Sequence, residues 1–137
     1  MGFHDAHHEE IAPNAPMLII SKLACSLVGT TQAIKIIPGS HAYQAYRKEE
    51  IMEPFACNYG INPDFQDKIA SGKLRITGVS SDGEIRIVEL SNHRFYVGTL
   101  FLPQKSSAAD KPHPLIIEYL KAALDFQSSS RNGRIKM

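Results

Sequence analysis

Residues 94–104 read Arg94-Phe95-Tyr96-Val97-Gly98-Thr99-Leu100-Phe101-Leu102-Pro103-Gln104, an apolar run closed by a proline. The run is too short for a comfortable helix, and aromatic and branched side chains suit a pleated surface. It therefore predicts a buried central strand of an α/β sheet. Pro103 cannot donate to a ladder, so the strand should end there. Open α/β sheets gather their chemistry at the carboxyl ends of strands. At this end the chain offers Leu102 and Gln104, and neither side chain can act as a base.

Upstream, Leu74 to Val79 and Glu84 to Leu90 flank Ser80-Ser81-Asp82-Gly83, a turn ending in glycine, which predicts an antiparallel hairpin leading into the run. Before it, Asn62-Pro63-Asp64 has the order of an N-cap, a first-turn proline and an acid favourable to the helix dipole. That helix should stop at Ser71-Gly72 and turn Phe65 and Ile69 inward. Downstream, Pro112-His113-Pro114 opens a last helix whose Leu115, Ile116, Tyr119, Leu120 and Ala123 share one face. These parts read as scaffold, and His113 as a surface loop residue.

Toward the amino terminus, Met17 to Leu23 and Thr31 to Ile37 predict two strands rich in branched residues, the second closed by Pro38-Gly39. Ser40 to Glu50 predicts a short helix with Tyr43 and Tyr46 as core anchors, and Ile51 to Tyr59 is weakly extended. Met1 to Pro16 holds His4, His7, His8, Glu9 and Glu10. Helical spacing would set His4 and His8 on one face, as metal sites sometimes do, but the pattern fixes no further ligand nearby. A solvated polar segment is the reading kept, with no metal and no cofactor assigned.

A chain of 137 residues with 43% hydrophobic content is read as a single domain over 1–137, large enough to bury a core. Fifteen basic against fourteen acidic residues give a net charge of +1 without a basic stripe, which argues against nucleic acid or an anionic membrane as partner. No apolar run reaches the roughly 18 residues of a spanning helix, and the first residues lack a basic-then-apolar signal pattern. A cytoplasmic location is expected. Cys25 and Cys57 are too few for a four-ligand zinc site and should be free thiols in a reducing compartment. Cys25, among Leu23, Ala24, Leu27 and Val28, reads as core filler.

Asn62-Pro63, Thr77-Gly78 with Ser81-Asp82-Gly83, Ile87-Val88-Glu89-Leu90, His93-Arg94-Phe95-Tyr96-Val97-Gly98, and Pro112-His113-Pro114-Leu115 with Lys121-Ala122-Ala123 follow one another in this order. In order and spacing the set resembles the carboxyl-terminal glutamine amidotransferase domain of CTP synthase. The resemblance covers about the last two-thirds of the chain, and Ala6 to Glu10 more weakly. It implies a three-layer, flavodoxin-like class I glutamine amidotransferase fold, of which this chain would be the carboxyl-terminal part, with a mixed sheet and a β-hairpin. In that family the strand ends Gln-Phe-His-Pro-Glu; the His is the general base for a cysteine nucleophile and the Glu orients it. Leu102 and Gln104 occupy those two positions here. The resemblance further matches Glu10 to the family's contact with the amino group of glutamine. It places Asn58 where the family has the arginine that pairs with the glutamine carboxylate.

The pieces Asp5 to Glu10, Leu23 to Gly29, Cys57 to Pro63 and Thr99 to Gln104 resemble more closely the small CTP synthase C-terminal region-related proteins, some of which are selenoproteins. In amidotransferases of this class the nucleophile and the oxyanion-hole glycines precede the segment matched by Ala6 to Glu10. The chain is therefore expected to be either a genuine short protein or, the favoured reading, part of a longer one. A homodimer, or association with a missing amino-terminal half, would complete its sheet. Two functions follow as expectations. One is a degenerate module that does not hydrolyse glutamine and binds a partner or an amino-acid-like ligand through Glu10 and Asn58. The other is a thiol-dependent enzyme or redox protein using Cys57 beside Asn58.

Overall fold

The computed structural model describes residues 2–134. In chain order the elements are β1 (His7–His8), β2 (Leu18–Lys22), β3 (Thr31–Ile36), α1 (His41–Tyr46), β4 (Glu50–Pro54), β5 (Tyr59–Ile61), α2 (Gln66–Ala70), β6 (Leu74–Val79), β7 (Ile85–Leu90), β8 (Val97–Thr99) and α3 (Pro114–Arg134). The strands form two sheets. A small mixed one has the order β1-β2-β5, with β1 parallel and β5 antiparallel to β2. The larger has the order β4-β3-β6-β7-β8 and is antiparallel throughout.

The expected central strand at 94–104 is an edge. Only Val97–Thr99 is strand, paired to β7 alone among the described residues, through Ile87↔Thr99, Val88↔Gly98 and Glu89↔Val97. Leu90 N–H to the Tyr96 carbonyl (3.1 Å) and Leu100 N–H to the Arg86 carbonyl (2.9 Å) extend the pairing by a step at each end. The aromatic start of the run is used elsewhere: Phe95 packs on His41 and Tyr119, with ring centroids 5.6 and 5.9 Å apart. At the other end the Thr99 hydroxyl donates to the Phe101 carbonyl (2.8 Å), and Pro103 opens a single 3₁₀ turn, Pro103–Lys105. The most buried strand is its neighbour β7, where Ile85, Arg86, Ile87 and Glu89 are all buried.

Other local signals are realised as read. Gly83 takes φ +82°, which only glycine adopts freely, and its N–H closes the turn on the Ser80 carbonyl at 3.0 Å. The Asn62 side chain accepts from Asp64 N–H (3.0 Å) and donates to the Leu18 carbonyl (2.8 Å), so the cap of the Pro63–Phe65 turn is also pinned to β2. Ile69 is buried, and the helix ends at Ser71 and Gly72 as expected. Tyr43 and Tyr46 pack against the core cluster of Ile34, Ile36, Ala42, Phe55, Ile87, Phe101 and Leu115.

Three expectations fail, for one reason: long-range contacts decide burial. His113 is buried, not a surface residue. Its Nε2 lies 2.9 Å from a Glu53 carboxylate oxygen, and its Nδ1 accepts from Leu115 N–H at 3.2 Å. Tyr46 donates to the same Glu53 oxygen at 2.6 Å, and Ser106 to the other at 3.3 Å. Cys25 is exposed; the chain from Leu23 to Gly29 bonds back to Asn58, Cys57 and Phe55, burying Leu27 and leaving Cys25 outside. The apolar face of α3 is covered only at its start: Leu115 is buried, while Tyr119 and Leu120 are 58% and 54% exposed. The early turns of α3 rest on α1 and the Pro103–Lys105 turn, and the helix then runs past them. The His4–His8 helical reading also lapses, because His7–His8 is strand. No helix among the described residues is long and apolar enough to cross a membrane.

Two stability measurements check this account. Leu115→Ala should cost about 2–5 kcal/mol in denaturant unfolding, and Leu120→Ala less than about 0.5 kcal/mol. Burial alone would raise the Glu53 carboxyl, but hydrogen bonds from His113, Tyr46 and Ser106 outweigh it and hold the group below its usual range. A depressed folded value stabilises fully above the unfolded value near 4.3 and is lost as pH falls through the folded one. Unfolding free energy should therefore decline on acidification below about pH 4, and Glu53→Gln, although less stable at neutral pH, should flatten that decline.

Candidate functional site

Between the small sheet and the β7–β8 edge lies a cavity of about 600 Å³, within the size range of small-molecule sites. Its walls follow from the topology. Antiparallel pairing with β2 at Ile20↔Ile61 and Ser21↔Gly60 sets β5 along one side, and the chain entering β5 brings Cys57 and Asn58 to the same wall. Glu10 and His8 close it from β1. The Glu9 carboxylate, accepting from Lys22 N–H, holds that segment to β2. Side-chain alternation in β7 turns Arg86 and Val88 to the cavity, while Ile87 joins the core and Glu89 faces α1. At Gly60 an added Cβ would come within 2.7 Å of Leu23, so glycine lets β5 lie close against that side chain.

Of the residues singled out from sequence, Glu10, Cys57 and Asn58 converge on this cavity. Asn58 is exposed and its carbonyl oxygen accepts from the Ser26 hydroxyl at 2.5 Å. The Cys57 thiol donates to the Leu100 carbonyl at 3.4 Å. Burial pushes that thiol up, only partly opposed by the charge of Arg86 and a backbone hydrogen bond at Ala56. Leu102 and Gln104 stand apart: both are exposed at the Pro103–Lys105 turn and neither lines the cavity. Among the described residues no three His, Cys, Asp or Glu side chains are grouped to hold a metal.

Sequence reasoning missed Arg86. It sits at 3% exposure, on a strand first read as scaffold. One terminal nitrogen pairs with Glu84 at 2.6 Å, the other reaches the Ile85 carbonyl at 3.4 Å, and the guanidinium carbon lies 5.6 Å from the Phe55 ring centre. Its Nε is buried without a hydrogen-bond partner among the described residues. The signal was present as a cation inside Ile85-Arg86-Ile87-Val88, an otherwise apolar stretch.

No family model matches the chain. CTP synthase of Sulfurisphaera tokodaii is 33% identical over 132 residues, covering 90% of this chain and 25% of that protein. CTP synthase of Chlamydia muridarum is 33% identical over 142 residues, covering 94% and 25%. The glutaminase domain of Trypanosoma brucei CTP synthase, solved with bound acivicin, superposes with a TM-score of 0.82 at 19% identity, over 90% of this chain and 52% of that one. The chain is homologous to the CTP synthase glutaminase domain. It spans about a quarter of the length of the curated relatives it matches. The mixed α/β architecture is thus that of the glutamine amidotransferase fold, as the resemblance implied, although the 94–104 run is an edge within it.

The two thiols can be ranked. Limited alkylation near neutral pH, read by peptide mass, should label exposed Cys25 before Cys57, whose raised thiol is hydrogen-bonded and half-buried.

Proposed function

We propose that this chain is a degenerate glutamine amidotransferase-like module that binds a small, amino-acid-like ligand without hydrolysing glutamine. One observation carries the reading. In the cavity that gathers Glu10, Cys57 and Asn58 the Cys57 thiol is hydrogen-bonded to the Leu100 carbonyl and to neither His8 nor Glu10, and Leu102 and Gln104 stand at the positions where the related domain resembled above has its His and Glu. His8 also reaches the cavity, but its Nδ1 accepts from Glu10 N–H (3.1 Å) and its ring lies against Tyr59 at 5.1 Å, not against Cys57. Leucine and glutamine cannot take up a proton near neutral pH, and loss of a base costs several orders of magnitude in rate. The nearer resemblance to the CTP synthase C-terminal region-related proteins belongs to the same proposal, as does the cytoplasmic location.

The thiol-dependent alternative has one observation in its favour, the place of Cys57 on the cavity wall. Its chemistry is opposed by burial and by the bond to the Leu100 carbonyl, both of which favour the protonated thiol over the nucleophilic thiolate.

Purified chain incubated with L-glutamine should release no ammonia above the buffer rate. Steady release that disappears in Glu10→Ala would overturn the reading.

A further inference from the structure

The two edges of the five-stranded sheet are finished differently. β4, at one end, carries an exposed Glu50 and closes on Pro54, a charge and a missing donor of the kind that keep a strand edge from pairing with another chain. β8, at the other, has neither a charge nor a proline between Phe95 and Leu102. The Tyr96 carbonyl and the Leu100 N–H are turned to β7, so antiparallel alternation turns the N–H and C=O groups of Val97 and Thr99 outward, where no described strand meets them. Apolar surface adjoins both faces of this open edge. On one face Tyr96 is 50% exposed; on the other, Tyr119 and Phe126 of α3 are 58% and 59% exposed. Tyr119, packed on Phe95, stands as a ridge between two recesses of about 220 and 360 Å³. The first runs along Val97 and Thr99 to Leu115, and the second is lined by Ala122, Ala123 and Phe126.

We infer that this face is the contact of a homodimer, in which β8 pairs antiparallel with β8 of a second copy and the two α3 helices meet beside it. The inference is independent of the ligand-binding reading above. A two-fold axis normal to the sheet at the level of Gly98 sets Val97 opposite the second copy's Thr99, and Thr99 opposite its Val97. These are the residues whose backbone groups point outward, so each pair exchanges both of its bonds and the edge is used up. The same axis keeps both α3 helices on one side of the joined sheets, where each Tyr119 ridge meets the other copy's recesses. An extended peptide would satisfy the strand edge but leave Tyr119 and Phe126 in water. The occupant must bring a strand edge with an adjoining apolar helix, and the chain itself has both. Tyr96, Tyr119 and Phe126 alone expose on the order of 400 Å², about half of the roughly 800 Å² that a standard interface buries per partner, and the edge backbone and recess walls add to it. Charge does not oppose the pairing: each copy carries only +1, and Arg94, which lines the larger recess, is exposed and lies over the Phe126 ring at 5.2 Å, so it keeps its water.

The test is sedimentation equilibrium of the full chain at up to about 100 µM, beside hydrogen exchange of its backbone amides. Wild-type protein should sediment at twice the 15.2 kDa of one chain, and exchange at Val97 and Thr99 should slow as concentration rises. Phe126→Glu puts a charge among the aromatics, and Val97→Pro removes an outward N–H that β7 does not use; each should weaken association tenfold or more. Met52→Glu, exposed on the opposite edge, should leave it unchanged. A mass of one chain throughout overturns the homodimer and leaves the face to a different polypeptide, such as the missing amino-terminal half expected from sequence. A dimer that Phe126→Glu or Val97→Pro leaves intact, or that Met52→Glu dissolves, has its contact elsewhere and overturns the inference equally. Should Val97→Pro not fold, Phe126→Glu and the concentration dependence of wild-type exchange at Val97 and Thr99 decide.

Discussion

The buried carboxylate of Glu89 holds the architecture together. It accepts from His41 N–H (2.9 Å), Ala42 N–H (2.8 Å) and the Thr77 hydroxyl (3.0 Å), and it is 2% exposed. A charge so far from water is tolerable only when hydrogen bonds replace its hydration, and these three donors come from two directions. Two are the otherwise unpaired N–H groups at the start of α1, a place where a negative charge is favoured. The third is the neighbouring strand β6. Removing any of them would leave the carboxylate underserved, so the start of α1 is fixed on β7 with little freedom. At the other end of α1, Tyr46 meets Glu53 and His113, which brings in β4 and the start of α3. Two carboxylates therefore hold the helical layer to the five-stranded sheet.

That arrangement gives β7 two different faces. Glu89 and Ile87 belong to the layer with α1 and the core, and Arg86 and Val88 to the cavity beneath the small sheet. Because strand side chains alternate strictly, fixing the first set fixes the second. The position of Arg86 is thus set by hydrogen bonds made on the opposite side of the sheet. A ligand site built on such a strand is rigid, since moving Arg86 would require shifting the pairing that seats Glu89.

Much of the fold was legible because its signals are local. The Ser80–Gly83 turn, the Asn62 cap and the strands at Leu18–Lys22 and Thr31–Ile36 are all determined by neighbours a few residues away. His113 and Cys25 were misread because their burial depends on partners far along the chain. Glu53 lies 60 positions from His113, and the Asn58 that folds back the Leu23–Gly29 segment is 32 positions from Ser26. The 94–104 run misled for a related reason. Its hydrophobicity is real, but it is divided among a short edge strand, an aromatic contact to α1 and α3, and a core phenylalanine, so composition alone overstated the strand. Arg86 was readable in principle, since a cation between Ile85 and Ile87 asks for a partner, yet its place at the cavity depends on a second sheet that period-2 alternation does not reveal.

The core is physically separable from the positions of Leu102, Gln104 and Asn58, so residue type there can vary at little cost to the scaffold. Phe101 is buried against Phe55 with ring centroids 6.1 Å apart, and Leu100 packs on the core cluster, whereas Leu102 and Gln104, two and four positions further, are exposed. Exposed positions contribute little to folding free energy, so substitutions there cost the fold almost nothing. Asn58 is likewise exposed. Arg86 is the opposite case. As a charge at 3% exposure it carries a desolvation cost that folding alone does not reward, and an apolar residue in its place would suit the strand Ile85–Leu90 better. A costly residue kept at the wall of a cavity, beside positions where change is cheap, is a physical reason to regard that wall as the working surface of the molecule.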